Sequence, residues 1–330
     1  MFLTIPALAP LVHWVYPGMT TTLSGATTSS LEIGLGYATG GRDAVTRAAT
    51  TAASRLHGAT PHLALVITAS PAGDAMAEAR GVLGRIQVAG GASALLLTDD
   101  GPMKSGALVV CVANADGAAS GVAATTGRDL ADAGQAAARL VLSGWPFRAR
   151  YPRGLGIAFA RSDSGDSALR FLDSWRDFMG PKMRTVCGVL GSPVLYGGGQ
   201  GNAEPRLSVA CLEASYATGL GWSDATGEPS TEALVHGAAD ATLTAVKRLD
   251  GRPARIVLVV QTAARHARLG AAAGEEWAAI RAQLDESTPC AGWQVEDVAA
   301  YGRGVQPVAA PGALVIVAIG DSPRSEAPRG

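Results

Sequence analysis

Apolar residues recur at helical spacing in three Ala-rich segments of this chain. Ala, Leu and Val repeat along each segment, and an Asp or Glu lies in the first turn, where the helix dipole favours it. Each segment ends next to a glycine, Gly58, Gly144 or Gly251, a residue that readily adopts the left-handed conformation closing a helix. The pattern predicts three equivalent helices, at residues 43–56, 129–142 and 231–249.

A short, continuous apolar run follows each of these helices. Runs of this length, rich in Val, Ile and Leu and bounded by Pro or Gly, predict buried strands. The first runs are residues 63–68, 154–160 and 256–261. We predict a second helix at 75–86, 167–179 and 276–284, and a second strand at 92–97, 185–190 and 292–298. After a Gly-rich turn or loop, a closing strand is predicted at 107–113, 207–212 and 313–319.

This order of elements is kept three times, and short landmarks repeat with it. Gly41-Arg42-Asp43 recurs as Gly127-Arg128-Asp129 at the start of the corresponding helix, and a Thr-Gly pair marks the same place in all three copies. We therefore expect three diverged α/β modules, with mixed sheets covered by helices and a cleft between modules. Two long, Gly-rich segments, 191–205 and 299–311, are predicted to be loops lining that cleft.

Composition narrows the function classes. Of 330 residues, 48% are apolar and 17% charged, and the net charge is −1 without any Lys or Arg cluster. A nucleic-acid partner is therefore not expected, because phosphate binding needs a basic patch.

The N-terminal segment, residues 1–30, is predicted to be flexible or wrongly annotated, with Met19 as a possible natural start. It lacks the basic beginning of a signal peptide, and Pro6 and Pro10 interrupt its apolar part, so we expect no membrane span and a cytoplasmic location. Residues 321–330 are predicted to be a tail.

Cysteine and histidine give no metal or redox motif. The cysteines form no CxxC pair and are expected to be buried and reduced: Cys111, Cys187, Cys211 and Cys290. The histidines show no metal-ligand spacing on a helix, although one of them could ligate haem in an alternative hypothesis: His13, His57, His62, His236 and His266.

Known catalytic and nucleotide-binding motifs do not fit. The glycines at 34, 36 and 40 have GxGxxxG spacing, and no acidic residue ends the next strand, so a dinucleotide site is not expected. Asp99-Asp100 is interpreted as a solvated turn. The pair Glu296-Asp297 lies in a mostly apolar run, and one of its carboxylates is expected to face inward, where it would need a partner or a ligand.

The stretch Tyr196-Gly197-Gly198-Gly199-Gln200-Gly201-Asn202 is unusual in having three consecutive glycines. Such backbone can present its N–H groups to an anion or a carboxylate. A surface loop without a ligand is the other interpretation of this segment.

From about residue 31 to 320 the chain resembles the FIST sensory domain family. The resemblance rests on three regions: 36–71, the Gly-rich second copy at 154–212, and Pro289-Cys290-Ala291-Gly292-Trp293 followed by Glu296-Asp297-Val298. It divides the chain into a FIST N-like region of two modules, 31–215, and a FIST C-like third module, 216–320. The sequence departs from the family where Glu296-Asp297-Val298 replaces Gly-Glu-Ile, and near Gly90-Gly91-Ala92, where a cysteine is usual.

The resemblance implies a small-ligand sensor that acts on a separate signalling partner and is not an enzyme. We expect a small polar ligand, an amino acid or a carboxylate, between the central and C-terminal modules, and no obligate cofactor. The expected contacts are Gly198, Gly199, Gln200, Trp293, Asp297 and Tyr301. Backbone N–H groups would bind an anionic end, the two aromatic rings an apolar part, and Asp297 a cationic end. The alternatives are a haem-binding gas sensor, a non-catalytic scaffold and, least favoured, an enzyme using Cys187 or Cys290.

Overall fold

A computed structural model describes the chain at residues 12–13, 31–41, 43–69, 74–113, 119–144, 154–161, 167–180, 183–191, 194–196, 205–213, 216–225, 227–302, 305–309 and 312–321. After a short strand, β1 (Val12–His13), the elements fall into three modules. The first contains β2 (Glu32–Thr39), α1 (Ala44–Ser54), β3 (Leu63–Thr68), α2 (Ala75–Leu83), β4 (Gln87–Ala92), β5 (Leu96–Thr98), β6 (Gly101–Met103) and β7 (Gly106–Ala113).

The second and third modules repeat this order. The second contains β8 (Ala119–Thr125), α3 (Leu130–Gly144), β9 (Gly154–Arg161), α4 (Ala168–Met179), β10 (Met183–Leu190), β11 (Val194–Tyr196) and β12 (Leu207–Glu213). The third contains β13 (Ala217–Ser223), α5 (Thr231–Lys247), β14 (Ala254–Thr262), α6 (Ala263–Leu269), a 3₁₀ turn (Gly270–Ala272), α7 (Ala273–Arg281), β15 (Cys290–Val295), β16 (Asp297–Gly302), β17 (Val305–Ala309) and β18 (Leu314–Gly320).

The fold is mixed α/β, as predicted. In the described part of the chain three sheets run in the orders β11-β4-β3-β7-β2, β1-β8-β12-β9-β10-β16-β17 and β13-β18-β14-β15-β5-β6. Each sheet contains one parallel pair, β3 with β4, β9 with β10 or β14 with β15. A helix connects the two strands of each pair, as parallel pairing requires.

Strands are exchanged between the modules in a closed cycle. The first module adds β5 and β6 to the edge of β15 in the third, and the third adds β16 and β17 to the edge of β10 in the second. The second completes the cycle by adding β11 to the edge of β4 in the first. Each module therefore donates one or two strands to one other module and receives one or two from the remaining module, and the receiving strand is the equivalent one in each case: β4, β10 or β15.

The cores follow from the alternation of side chains along these strands. The inner faces of all three sheets form one central core, which includes Ile67, Phe159 and Val260. The outer faces are covered by helices in three separate cores.

Several elements differ from the sequence prediction. Residues 299–311, expected as a loop, include most of β16 and all of β17, and Pro307 is tolerated there because β17 is an edge strand. The strand expected at 92–97 is instead the end of β4 and the start of β5, because the chain changes sheets between them. The helix expected at 276–284 begins earlier, with α6 and α7 joined by a 3₁₀ turn.

Two of the three glycines with GxGxxxG spacing, Gly34 and Gly36, lie within β2. The described helices include none that is long and apolar enough to cross a membrane.

Candidate functional site

The carboxyl ends of the parallel strand pairs meet around one cavity, where the three modules join. Its wall includes Ala69, which follows β3, Leu190 at the end of β10, and Val295 at the end of β15. Ala263, the first residue of α6, also lines the cavity and directly follows the end of β14. We call this space, of about 360 Å³, the axial cavity. Ligands of α/β proteins commonly bind at carboxyl ends of strands, and at junctions between structural units.

The cavity is lined mainly by small side chains. Alanines and short aliphatic residues form most of the wall, and polar atoms come from only a few positions. The lining residues are Ala69, Ala92, Ser93, Ala94, Leu190, Gly191, Ala263, Gln294, Val295 and Glu296. Ala94 and Ala263 are exposed at the rim, whereas Ala69 and Ala92 are buried deeper.

Ser93 makes hydrogen bonds that hold the β5–β6 hairpin against β15. Its hydroxyl lies 2.7 Å from the carbonyl oxygen of Leu95 and 2.8 Å from that of Gln294, and it accepts bonds from the N–H groups of the same two residues. The side chain joins the first module to β15 of the third. It therefore supports the wall of the cavity and is not free to serve as a nucleophile.

Glu296 supplies the carboxylate at the cavity. Its backbone N–H donates to the carbonyl oxygen of Val189 at 2.8 Å, which fixes the residue between β15 and β16. Its carboxylate packs against Gly191, where a Cβ atom would overlap Oε1. Glu296 is exposed, and within the described residues its carboxylate has no hydrogen-bond or ion-pair partner.

Asp297 faces away from this cavity. Its Oδ2 accepts a hydrogen bond from the backbone N–H of Ala168 at 2.8 Å, at the first residue of α4. Tyr301 lies on the same, helix-covered face of β16, where the guanidinium of Arg176 is 5.9 Å from its ring centroid.

Trp293 belongs to the central core, which lies on the face of the β16 sheet opposite to Asp297 and Tyr301. Its side chain is 2% exposed, and its ring centroid is 5.6 Å from that of Phe159. The structure thus does not bring Trp293 and Asp297 onto a common surface. The other expected contacts, Gly198, Gly199 and Gln200, lie outside the described residues.

A larger groove, of about 680 Å³, lies at the opposite ends of the strands, between the first and third modules. Its charged groups are largely paired: Arg255 with Asp321, and His57 with Glu32 at 3.3 Å. Asp99, in the turn between β5 and β6, lies 3.5 Å from Arg281, and burial raises the pKa of its carboxyl. The Asp99–Arg281 pair joins the first module to the third, and each of the other two pairs lies within a single module. Because its charged groups are largely paired, this groove is a weaker candidate than the axial cavity.

A buried ion pair in the third module escaped sequence reasoning. Arg265 is fully buried and donates to Glu276 at 2.6 Å, and its other N–H groups reach the carbonyl oxygens of Leu234 and Gly312. Burial raises the pKa of Glu276, and Arg265 opposes this shift. The pair ties α5, α6 and α7 together, so its hydrogen bonds indicate a structural role.

Cysteine and histidine offer little reactive chemistry here. All four cysteines are free and buried, and burial raises the pKa of Cys290 to about 12 and that of Cys187 above its usual range. Neither thiol readily forms the thiolate that a nucleophile requires. Burial lowers the pKa of His62 to about 4, and the described residues contain no cluster of three His, Cys, Asp or Glu side chains able to hold a metal ion.

The candidate site was only partly accessible to sequence reasoning. The Glu296-Asp297 pair was recognised as one in which an inward carboxylate would need a partner or ligand. The structure gives that partner to Asp297 and leaves Glu296 at the cavity.

This chain has only weak similarity to known proteins. No family model matches the sequence, and no curated protein matches it. Among solved structures, a cyanuric acid hydrolase from A. caulinodans is similar over 61% of this chain and 66% of its own, with 14% identity and a TM-score of 0.34. Phosphoribosylformylglycinamidine synthase II from Thermotoga maritima matches over 90% of this chain and 73% of its own, with 10% identity and a TM-score of 0.26. Likenesses this weak do not establish a shared activity.

Proposed function

We propose that this protein binds a small polar molecule in the axial cavity and acts as a ligand sensor. One observation carries the proposal: chain from all three modules, including the ends of three parallel strand pairs, lines a single cavity of about 360 Å³. That volume is within the usual range for small-molecule sites. Because the ligand contacts every module, its binding would stabilise one arrangement of the three relative to others. A separate partner protein would then detect that arrangement.

The site of this proposal differs from the one expected from the sequence. Trp293 lies in the central core and does not line the cavity, and Asp297 caps α4. The direct contacts would be made by small residues of the wall and by Glu296. An amino acid remains a suitable ligand, because its ammonium group and short side chain match this lining.

The proposal is tested by filling the cavity from its rim. We expect the melting temperature of the full chain to rise with at least one compound in a screen of amino acids, small amines and small carboxylates, since a ligand that binds only the folded state stabilises it. The substitution Ala94→Trp should abolish that rise, because the indole would occupy the space. Ala278→Trp, at an exposed position on α7 away from the cavity, should retain it.

Equal responses of the Ala94→Trp and Ala278→Trp proteins would place the ligand elsewhere and contradict the proposal. An absorbance spectrum of the purified protein should accompany the screen, because a strong Soret band would favour the haem-binding alternative. A protein that is colourless and unresponsive to every compound would favour a scaffold.

A further inference from the structure

We propose that the axial cavity selects ligands carrying a positive charge, with Glu296 as the group that recognises it. This inference rests on the proposed function, because it specifies the chemical class of the ligand that the cavity would bind. An aliphatic primary ammonium group on a short hydrocarbon chain fits the lining, and this description includes the ammonium end of an amino acid.

The charge of the wall supports this choice. Glu296 is the one ionisable side chain among the described residues that line the cavity. A carboxylate attracts a nearby cation, and the attraction is stronger near a protein surface than in bulk water because the effective dielectric constant is lower. The same carboxylate would repel an anionic ligand, and the described lining contains no cation to offset that repulsion.

The carboxylate is also free to bind. Of the adjacent acidic residues, Asp297 already accepts the N–H of Ala168, whereas the Glu296 carboxylate has no partner within the described residues. Gly191 contributes to its position, because any side chain there would overlap Oε1 and displace the carboxylate. The backbone bond from Glu296 to Val189 fixes the point from which the side chain extends.

The rest of the wall suits a short hydrocarbon body. Ala69, Ala92, Leu190 and Val295 present apolar surface, while the Ser93 hydroxyl is already engaged by backbone groups. A ligand with one charged end and an apolar remainder would therefore leave few polar groups unpaired.

The test compares three probes of similar shape and different charge: n-butylamine, 1-butanol and pentanoate. Binding to the full chain is measured by titration calorimetry and by the shift in melting temperature. We expect n-butylamine to bind and the other two to bind at least about tenfold more weakly, a ratio equivalent to 1.4 kcal/mol. The amine should bind about tenfold more weakly to the Glu296→Gln protein, which keeps the size of the side chain but removes its charge.

Two further variants make the result specific. Gly191→Ala keeps every charge but displaces the Glu296 carboxylate, so it should also weaken the binding of the amine. Glu286→Gln removes a carboxylate from the other groove and should leave binding unchanged.

Unchanged binding of the amine by the Glu296→Gln protein would overturn this inference. So would binding of 1-butanol or pentanoate as tightly as the amine; if Ala94→Trp abolished that binding, the proposed function would still stand. If none of the probes or screened compounds bound, both proposals would fall.

Discussion

At the scale of single residues, the first strand of the first and third modules packs very closely against the first helix of the same module. Gly34 and Gly36 on β2 face α1, and Gly219 and Gly221 on β13 face α5. A Cβ atom at any of these positions would overlap a helix carbonyl oxygen, for example that of Ala241 beside Gly221. The helices approach the sheets this closely only because these four positions carry no side chain.

Gly221→Ala should therefore destabilise the protein. We expect a loss of about 1–3 kcal/mol in the free energy of unfolding, typical of an overpacked core, because the helix backbone cannot move without shifting the whole of α5. Chemical denaturation with urea measures it. The control is Gly274→Ala on α7, where no atom lies near the added methyl group and helix propensity should increase stability by up to about 1 kcal/mol. Similar stabilities of the two variants would contradict the packing argument.

At the scale of elements, contacts between modules supply hydrogen bonds that a module's own residues do not make. Helix α4 begins after Ser167, whose own side chain makes no capping hydrogen bond. Asp297 provides the cap from β16, an element of the third module that has joined the second module's sheet. An exchanged strand thus both extends a sheet and satisfies the first turn of a helix.

Asp297→Ala should lower the free energy of unfolding by about 1 kcal/mol, the usual cost of losing an N-terminal cap. Asp297→Asn should lose less, because its side-chain oxygen can still accept the N–H of Ala168. The matched control is Glu296→Gln, which alters the neighbouring carboxylate without removing a described hydrogen bond. Thermal and urea unfolding of the three proteins measure the difference, and a loss of equal size in the Glu296→Gln protein would refute the capping role.

Sequence reasoning succeeded for elements with a strong local sequence signal. Residues 63–68 and 256–261 are dense in Val, Ile and Leu, and both lie in buried strands. It missed β8 and β13, which are rich in Ala, Gly and Ser and therefore have low strand propensity. These small residues allow the helices to pack closely on the two strands. It also missed β17, which pairs with the adjacent β16 in a segment interrupted by Gly and Pro, and β11, whose hydrogen bonds come from β4, a distant part of the chain. The axial cavity was hidden for the same reason, because its wall joins positions from Ala69 to Glu296.

At the scale of the whole molecule, the cycle of exchanged strands makes the modules interdependent. Without the first module, β15 loses its pairing with β5, and without the third, β10 loses its pairing with β16. The central core also draws side chains from all three sheets. No module described here has a complete sheet of its own.

Separate expression of residues 1–215 and 216–330 should therefore give two chains that do not fold alone. We expect each to lack a cooperative thermal transition by circular dichroism, and the two together to form a one-to-one complex that regains it. Size-exclusion chromatography of the mixture measures the complex. A cooperative transition in either isolated fragment would show that this fragment folds without the strands it exchanges with the other.

The cycle also constrains how such a protein could change its number of repeats. In an open array each unit contacts only its neighbours, so evolution can lengthen or shorten the array by duplicating or deleting units. Here β5 of the first copy, extended by β6, pairs with β15 of the third, and β16 of the third pairs with β10 of the second. The cycle closes where β11 of the second copy pairs with β4 of the first. Removing one copy would leave an unpaired edge, and inserting a fourth would require the ring to open. The three copies can diverge in sequence, but their number is fixed by closure.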